Sequence, residues 1–246
     1  MIRATLRTIT GRRGSFYGGA AVVLAGVLIV IAVVIVIHVL RPGRNPSTGG
    51  QPLFDGGWAV VLLVGTVVAI LIGALAGSYD AAQGTMRYLV MTGATRGRVY
   101  AARTIAVMLA VCLALLPSTA LVAAGALALP HASSDAVALS DVGGFAWSIA
   151  LFAGVFALIS MGIGTLMRSN GAAIAISLVF AVGFTPLLVL IEHVSQTLAD
   201  LMLPNLLDRL TGADTGAAIP VAALALLAWI GVFLAAGWLR VQRDEY

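Results

Sequence analysis

Lysine is absent from this chain, and all 14 of its cationic side chains are arginine. A nucleotide-binding P-loop needs the lysine of G-x-x-x-x-G-K-[ST] to reach the terminal phosphates, so the chain encodes no such ATPase site. Charge of either sign is scarce: 10% of residues are Asp, Glu, Lys or Arg, against about 25% in soluble globular domains. No long polar segment could fold as a separate soluble unit, so residues 1–246 are expected to form one domain. The single cysteine, Cys112, lies in an apolar run, which excludes an intrachain disulfide and a cysteine metal cluster. It reads as a small buried hydrophobe. The H-E-x-x-H motif is also missing, and no carboxylate or histidine falls near the middle of an apolar run. Ionisable groups are expensive inside a span and persist there for function, so their lack disfavours proton-coupled carriers and intramembrane metalloproteases. His38, His131 and His193 are isolated from one another and read as interfacial or loop residues. No metal or cofactor is expected in this chain.

What is present instead is hydrocarbon. The chain is 61% hydrophobic with a mean hydropathy of +1.06, which marks an integral membrane protein. A span needs about 20 predominantly apolar residues, and six stretches meet that length: Gly19 to Leu40, Trp58 to Gly77, Thr104 to Leu129, Phe145 to Met167, Gly171 to Ile191, and Ala217 to Leu239. The first is longer than a signal-peptide core of about 7–15 residues, and no small-residue cleavage site follows it. Before it, residues 1–17 place Ile2, Leu6 and Ile9 at i, i+4 and i+7 among Arg3, Arg7, Arg12 and Arg13, as in a helix lying in the membrane interface.

Arginine sets the expected orientation. With six spans, Arg3, Arg7, Arg12, Arg13, Arg87, Arg96, Arg98, Arg103, Arg168, Arg240 and Arg243 fall on one side, and Arg41, Arg44 and Arg209 on the other. Both termini are then cytoplasmic. The longest polar, basic interruption, Asp80 to Arg103, lies on that side between the second and third spans. Its first half reads as a short helix, with Met86, Leu89 and Val90 at i, i+3 and i+4 forming an apolar stripe, and Gly93 and Gly97 breaking the pattern. On the other side, 41–57 is a Pro- and Gly-rich connector, whereas residues 193–216 show Val194, Leu198, Leu201 and Met202 on one helical face before Pro204, then Leu206, Leu207 and Leu210. An amphipathic helical hairpin lying on the outer leaflet accounts for that pattern, and so does a connector packed on the bundle.

Within the spans, Gly73 with Gly77 and Ser160 with Gly164 form small-xxx-small pairs suited to close helix packing, within the chain or between subunits. Pro117 and Pro186 interrupt the third and fifth spans and would kink them. A mainly apolar interior with scattered Ser and Thr suits a hydrophobic or amphiphilic cargo better than an ion.

This layout resembles the permease subunits of type-2 ATP-binding-cassette exporters, the ABC-2 permeases. In that family the segment between spans two and three carries an acidic residue, then Gly-Thr-hydrophobic-Arg, a hydrophobic helix, a turn ending in Ser/Thr-Arg, and a basic lead into span three. Here Asp80, Gly84-Thr85-Met86-Arg87, Tyr88 to Met91, Thr95-Arg96 and Arg103 stand at the matching places, and the closing VQRDEY, with Arg243-Asp244, is similar to the family's usual ending. Gly93-Ala94 replaces the proline that many members have in the turn, and the larger extracellular insertion of many members is missing. The arginine-only, alanine-rich composition is similar to that of a high-GC bacterium.

The resemblance implies an all-α membrane protein with six spans, an N-terminal interfacial helix, a cytoplasmic coupling helix and an outer amphipathic hairpin before span six. It also implies a dimer of permease subunits in the bacterial cytoplasmic membrane, homodimeric or heterodimeric, exporting a cargo such as a drug, lipid, peptide or glycan precursor. A separately encoded ATPase would hold ATP and magnesium, and the permease itself would be no enzyme and bind no nucleic acid. Asp80, Gly84, Thr85, Met86, Arg87, Leu89, Val90, Thr95 and Arg96 would contact that ATPase, the stripe filling a groove and the arginines orienting it. The competing reading is a non-transporting membrane scaffold that anchors a cytoplasmic regulator.

Overall fold

The structure is a computed structural model, and it describes residues 2–11, 13–40, 48–83, 95–131, 136–167, 169–193, 195–212 and 218–243. Among these the secondary structure is helical, without a strand: α1 (Ile2–Thr10), α2 (Arg13–Leu40), α3 (Gln51–Gln83), α4 (Arg96–Ala128), α5 (Leu139–Leu166), α6 (Asn170–Glu192), α7 (Gln196–Asp200), α8 (Leu203–Leu210) and α9 (Ile219–Arg243). Five apolar stretches, Phe16–Leu40, Gln51–Tyr79, Arg96–Ala128, Leu139–Leu166 and Ile219–Arg243, run for 25 to 33 residues. At 1.5 Å per residue each exceeds about 37 Å, enough to cross a hydrocarbon core of about 30 Å. These make the chain a multi-pass membrane protein. The stretch expected to form another span, Gly171 to Ile191, falls on α6, which is apolar over Asn170–Gly183.

The helices extend past the apolar runs at several ends. α3 starts at Gln51 rather than Trp58, with Pro52 in its first turn, where a missing N–H costs nothing. α5 starts at Leu139, where the Ala138 N–H donates to Asp141 Oδ2 at 3.1 Å and a carboxylate faces the positive end of the helix dipole. α4 starts at Arg96, eight residues before the expected Thr104, and Arg103 lies inside it at 7% exposure rather than flanking it. Charge places a boundary in hydropathy, yet a long arginine stem can be covered by neighbouring helices. Pro117 is carried within α4.

α3 and α5 form the centre and share the most extensive contact in the bundle. A methyl group at Gly73 would collide with the carbonyl of Ala157, at Gly77 with that of Met161, and at Gly164 with that of Ala74. These glycines therefore let two helix backbones touch. Both small-residue motifs contribute to this contact within one chain, Gly73 and Gly77 from one helix and Gly164 from the other. In α5, 72% of the membrane-length window is buried, against 11% in α2 and in α9, so α5 is the hub and those two helices are peripheral. On one side of the α3–α5 pair a core joins Val27, Val61, Val107, Val111 and Phe145 from α2 to α5. On the other side Ile70, Phe156, Ile159, Leu203, Leu207 and Leu226 join α3 and α5 to α8 and α9.

The ends of the bundle differ. At the arginine end lie α1, the end of α3, the start of α4 and the end of α9. The opposite, hairpin end contains α7, α8 and the turn before α3. There the Gly50 N–H donates to Ala126 O at 2.9 Å, and those of Thr48 and Gly49 to Pro130 O at 3.0 and 2.9 Å, closing the last turn of α4. Gly50 has φ 68°, a backbone that favours glycine.

The α7–α8 hairpin packs into the bundle instead of lying free on a leaflet. Leu203, Leu206 and Leu207 are fully buried. The indole N–H of Trp147 donates to Leu210 O and that of Trp229 to Leu201 O, each at 3.1 Å. Trp229 lies ten residues into α9, so the Leu201 end of the hairpin reaches about 15 Å along that helix. Backbone carbonyls at such a depth need donors, and the two indoles supply them.

Candidate functional site

The segment expected to couple to a partner is held between the end of α3 and the start of α4. Asp80 lies near the end of α3, while Gly84, Thr85, Met86, Arg87, Leu89 and Val90 lie outside the described residues. Thr95 is the N-cap of α4; it is exposed, and its side chain makes no capping bond. Arg96 is half-buried and turned onto its own chain. Its Nη1 donates to Gln242 O at 2.9 Å and, more weakly, to Val241 O at 3.4 Å. Those carbonyls belong to the last turn of α9, where no helical N–H remains to serve them. A guanidinium there satisfies them and opposes the negative end of the helix dipole.

One turn further along α4, the Tyr100 hydroxyl donates to Leu234 O at 3.0 Å, and the Tyr100 ring meets Trp238 edge-on with centroids 5.8 Å apart. Gly97 lets the Trp238 indole rest on α4, and Gly237 leaves room for the Tyr100 and Thr165 hydroxyls. Thr165 donates to Gly162 O at 2.7 Å within α5, and its side chain also hydrogen-bonds Tyr100. The start of α4, the end of α9 and the end of α5 are thereby fastened together. At the end of α3, Ser78 Oγ lies 2.8 Å from both Ala74 O and Asn170 Oδ1, which fastens that helix to the start of α6. Each described flank of the 84–94 segment is thus attached to a further helix.

Of the expected contact residues, the structure brings Arg96 to Val241 and Gln242 and leaves Thr95 at the surface. Tyr100, Thr165 and Trp238 were not anticipated; the sequence signals were a tyrosine one turn after a basic helix start and a tryptophan in the last turns of a span. α1 packs chiefly on α4, with Leu6 and Ile9 against the core and Arg7 exposed. Arg98, in the first turn of α4, and Arg243, at the end of α9, are exposed. Among the described residues no group of three or more His, Cys, Asp or Glu side chains could hold a metal ion.

A second feature lies between α4 and α5, in their hairpin-end halves. A groove of about 330 Å³ runs from Val111 to Ala123 on α4 and from Val142 to Ala153 on α5. Cys112 lines it and is exposed, not buried as its apolar surroundings suggested. The helix face carrying it is left uncovered by the rest of the bundle.

No protein-family model matches the chain, and no curated protein matches it in sequence.

Proposed function

We propose that this chain is the membrane-spanning permease subunit of an ATP-driven exporter. In this reading α6 completes a set of six spans, both termini are cytoplasmic in a bacterial inner membrane, and two permease subunits form the pathway. Residues 80–98 dock a separately encoded ATPase that holds ATP and magnesium. The observation that carries the reading is the attachment of both flanks of the 84–94 segment: α3 to α6 through Ser78 and Asn170, and α4 to α9 through Arg96 and Tyr100. A force applied there by a moving ATPase would reach four long helices at once, as a lever mechanism requires. A loop that only set topology would need no such fastening. The arginine excess at the same end supports a cytoplasmic placement, and the absence of lysine is consistent with hydrolysis on another chain.

The test is to tag the chain, extract it gently from its native membrane and identify what co-purifies in stoichiometric amounts. An ATPase at one copy per permease is the expected result. A self-assembled complex without an ATPase would overturn the reading in favour of a non-transporting anchor.

A further inference from the structure

The α4–α5 groove has dimensions that select its occupant. Twelve residues separate Val111 from Ala123, which makes it about 18 Å long, close to the roughly 15 Å of half a hydrocarbon core. Its volume of about 330 Å³ spread over that length leaves a cross-section of about 18 Å². A polymethylene chain, with carbon contacts near 4 Å, needs on the order of 15–20 Å². The groove takes one hydrocarbon chain along its length.

Its chemistry agrees. Ala120, Ala123, Ala146, Ala150 and Ala153 line it, and these small side chains keep it open. The Thr119 hydroxyl donates to Leu115 O at 2.9 Å, within its own helix, so its proton is already used. With hardly a polar partner, the groove is unsuited to ordered water. Exposed Leu109, Leu113, Leu116 and Trp147 surround it, so it opens toward the membrane hydrocarbon.

We propose that the groove is a binding site for a single acyl chain, taken from a phospholipid in the leaflet at the hairpin end. This goes beyond the exporter reading, and it is measured with no ATPase present. The purified chain is reconstituted in phosphatidylcholine vesicles containing a lipid with a photoreactive diazirine in its acyl chain, and the adducts are mapped by peptide mass spectrometry. Adducts should be enriched several-fold on 111–123 and 142–153 over Val33, Val39 and Leu40 of α2, which are more exposed than most of the groove. Ala150→Phe, and separately Ala123→Leu, should remove that enrichment in protein that remains monodisperse. Uniform labelling of α2 and the groove in the unaltered chain would overturn the proposal, whichever variant folds. Enrichment that survives both fillings would do so as well. So would an interchain disulfide at Cys112 on mild oxidation in the vesicles, which would place a second copy over the groove.

Discussion

Arg96 Nη1 lies 2.9 Å from Gln242 O, across 146 positions of sequence, so the first residue of α4 caps the last turn of α9. With Tyr100 on Leu234 O, it makes the start of one long helix and the end of another a single fastened unit. Replacing Arg96 by Ala removes a charge-assisted bond worth about 1.5–3 kcal/mol when well formed; its half-exposed position reduces that to about 1 kcal/mol. Tyr100→Phe should cost about 1 kcal/mol. In both variants amide hydrogen exchange over 234–243 should rise while exchange near Ala126 at the opposite end stays unchanged. Unaltered exchange in the double variant would show that the fastening contributes nothing.

The α3–α5 contact predicts a contrast between glycines. Gly73→Val places side-chain carbon against the Ala157 backbone, which cannot retract, and should lower stability by about 1–3 kcal/mol or prevent folding. Gly231→Ala, where nothing lies within 4 Å of the added carbon, should be neutral or stabilising by up to about 1 kcal/mol. Thermal unfolding of the two in the same detergent checks the contrast, and equal effects would contradict the close approach.

The hairpin is held by burial and by two indoles. Leu207→Ala empties a fully buried position and should cost about 2–5 kcal/mol. Trp229→Phe keeps most of the ring volume but removes the donor to Leu201 O. Both should make residues 195–212 more susceptible to protease added from the hairpin side, with Trp229→Phe the milder. Unchanged cleavage would place the hairpin outside the bundle.

If residues 80–98 dock an ATPase, changing Met86, Leu89 and Val90 together to polar residues should uncouple ATP hydrolysis from transport while leaving membrane insertion intact. Cargo-stimulated turnover in the reconstituted complex is the measurement. Turnover equal to that of the unaltered chain would remove this stripe from the coupling contact.

Much of the architecture was legible because membrane spanning is a local property. A run such as Gly19 to Leu40 must be a helix in hydrocarbon, where every backbone group has to be satisfied within its own segment, and α2 covers it. The amphipathic pattern of 1–17 likewise gave α1 its inward Leu6 and Ile9. The burial of Arg103 was not legible, because hydropathy counts a charge as a boundary whereas burial depends on neighbouring helices. The hairpin's leucines were recognised, but one amphipathic pattern serves equally for a leaflet and for a bundle. Only the seats provided by Phe156, Ile159 and Leu226 separate the two.

By itself, then, the sequence determined that the chain enters the membrane repeatedly, where its arginines gather, and which helices could approach closely, because length, charge and residue size act locally. The tertiary structure decided that Gly73 and Gly77 meet the Ala157 and Met161 carbonyls within one chain, that Arg96 caps α9, and that α4 and α5 leave an apolar groove between them. Each of these depends on two segments distant in sequence, and their relative placement is set by the packing of the whole bundle.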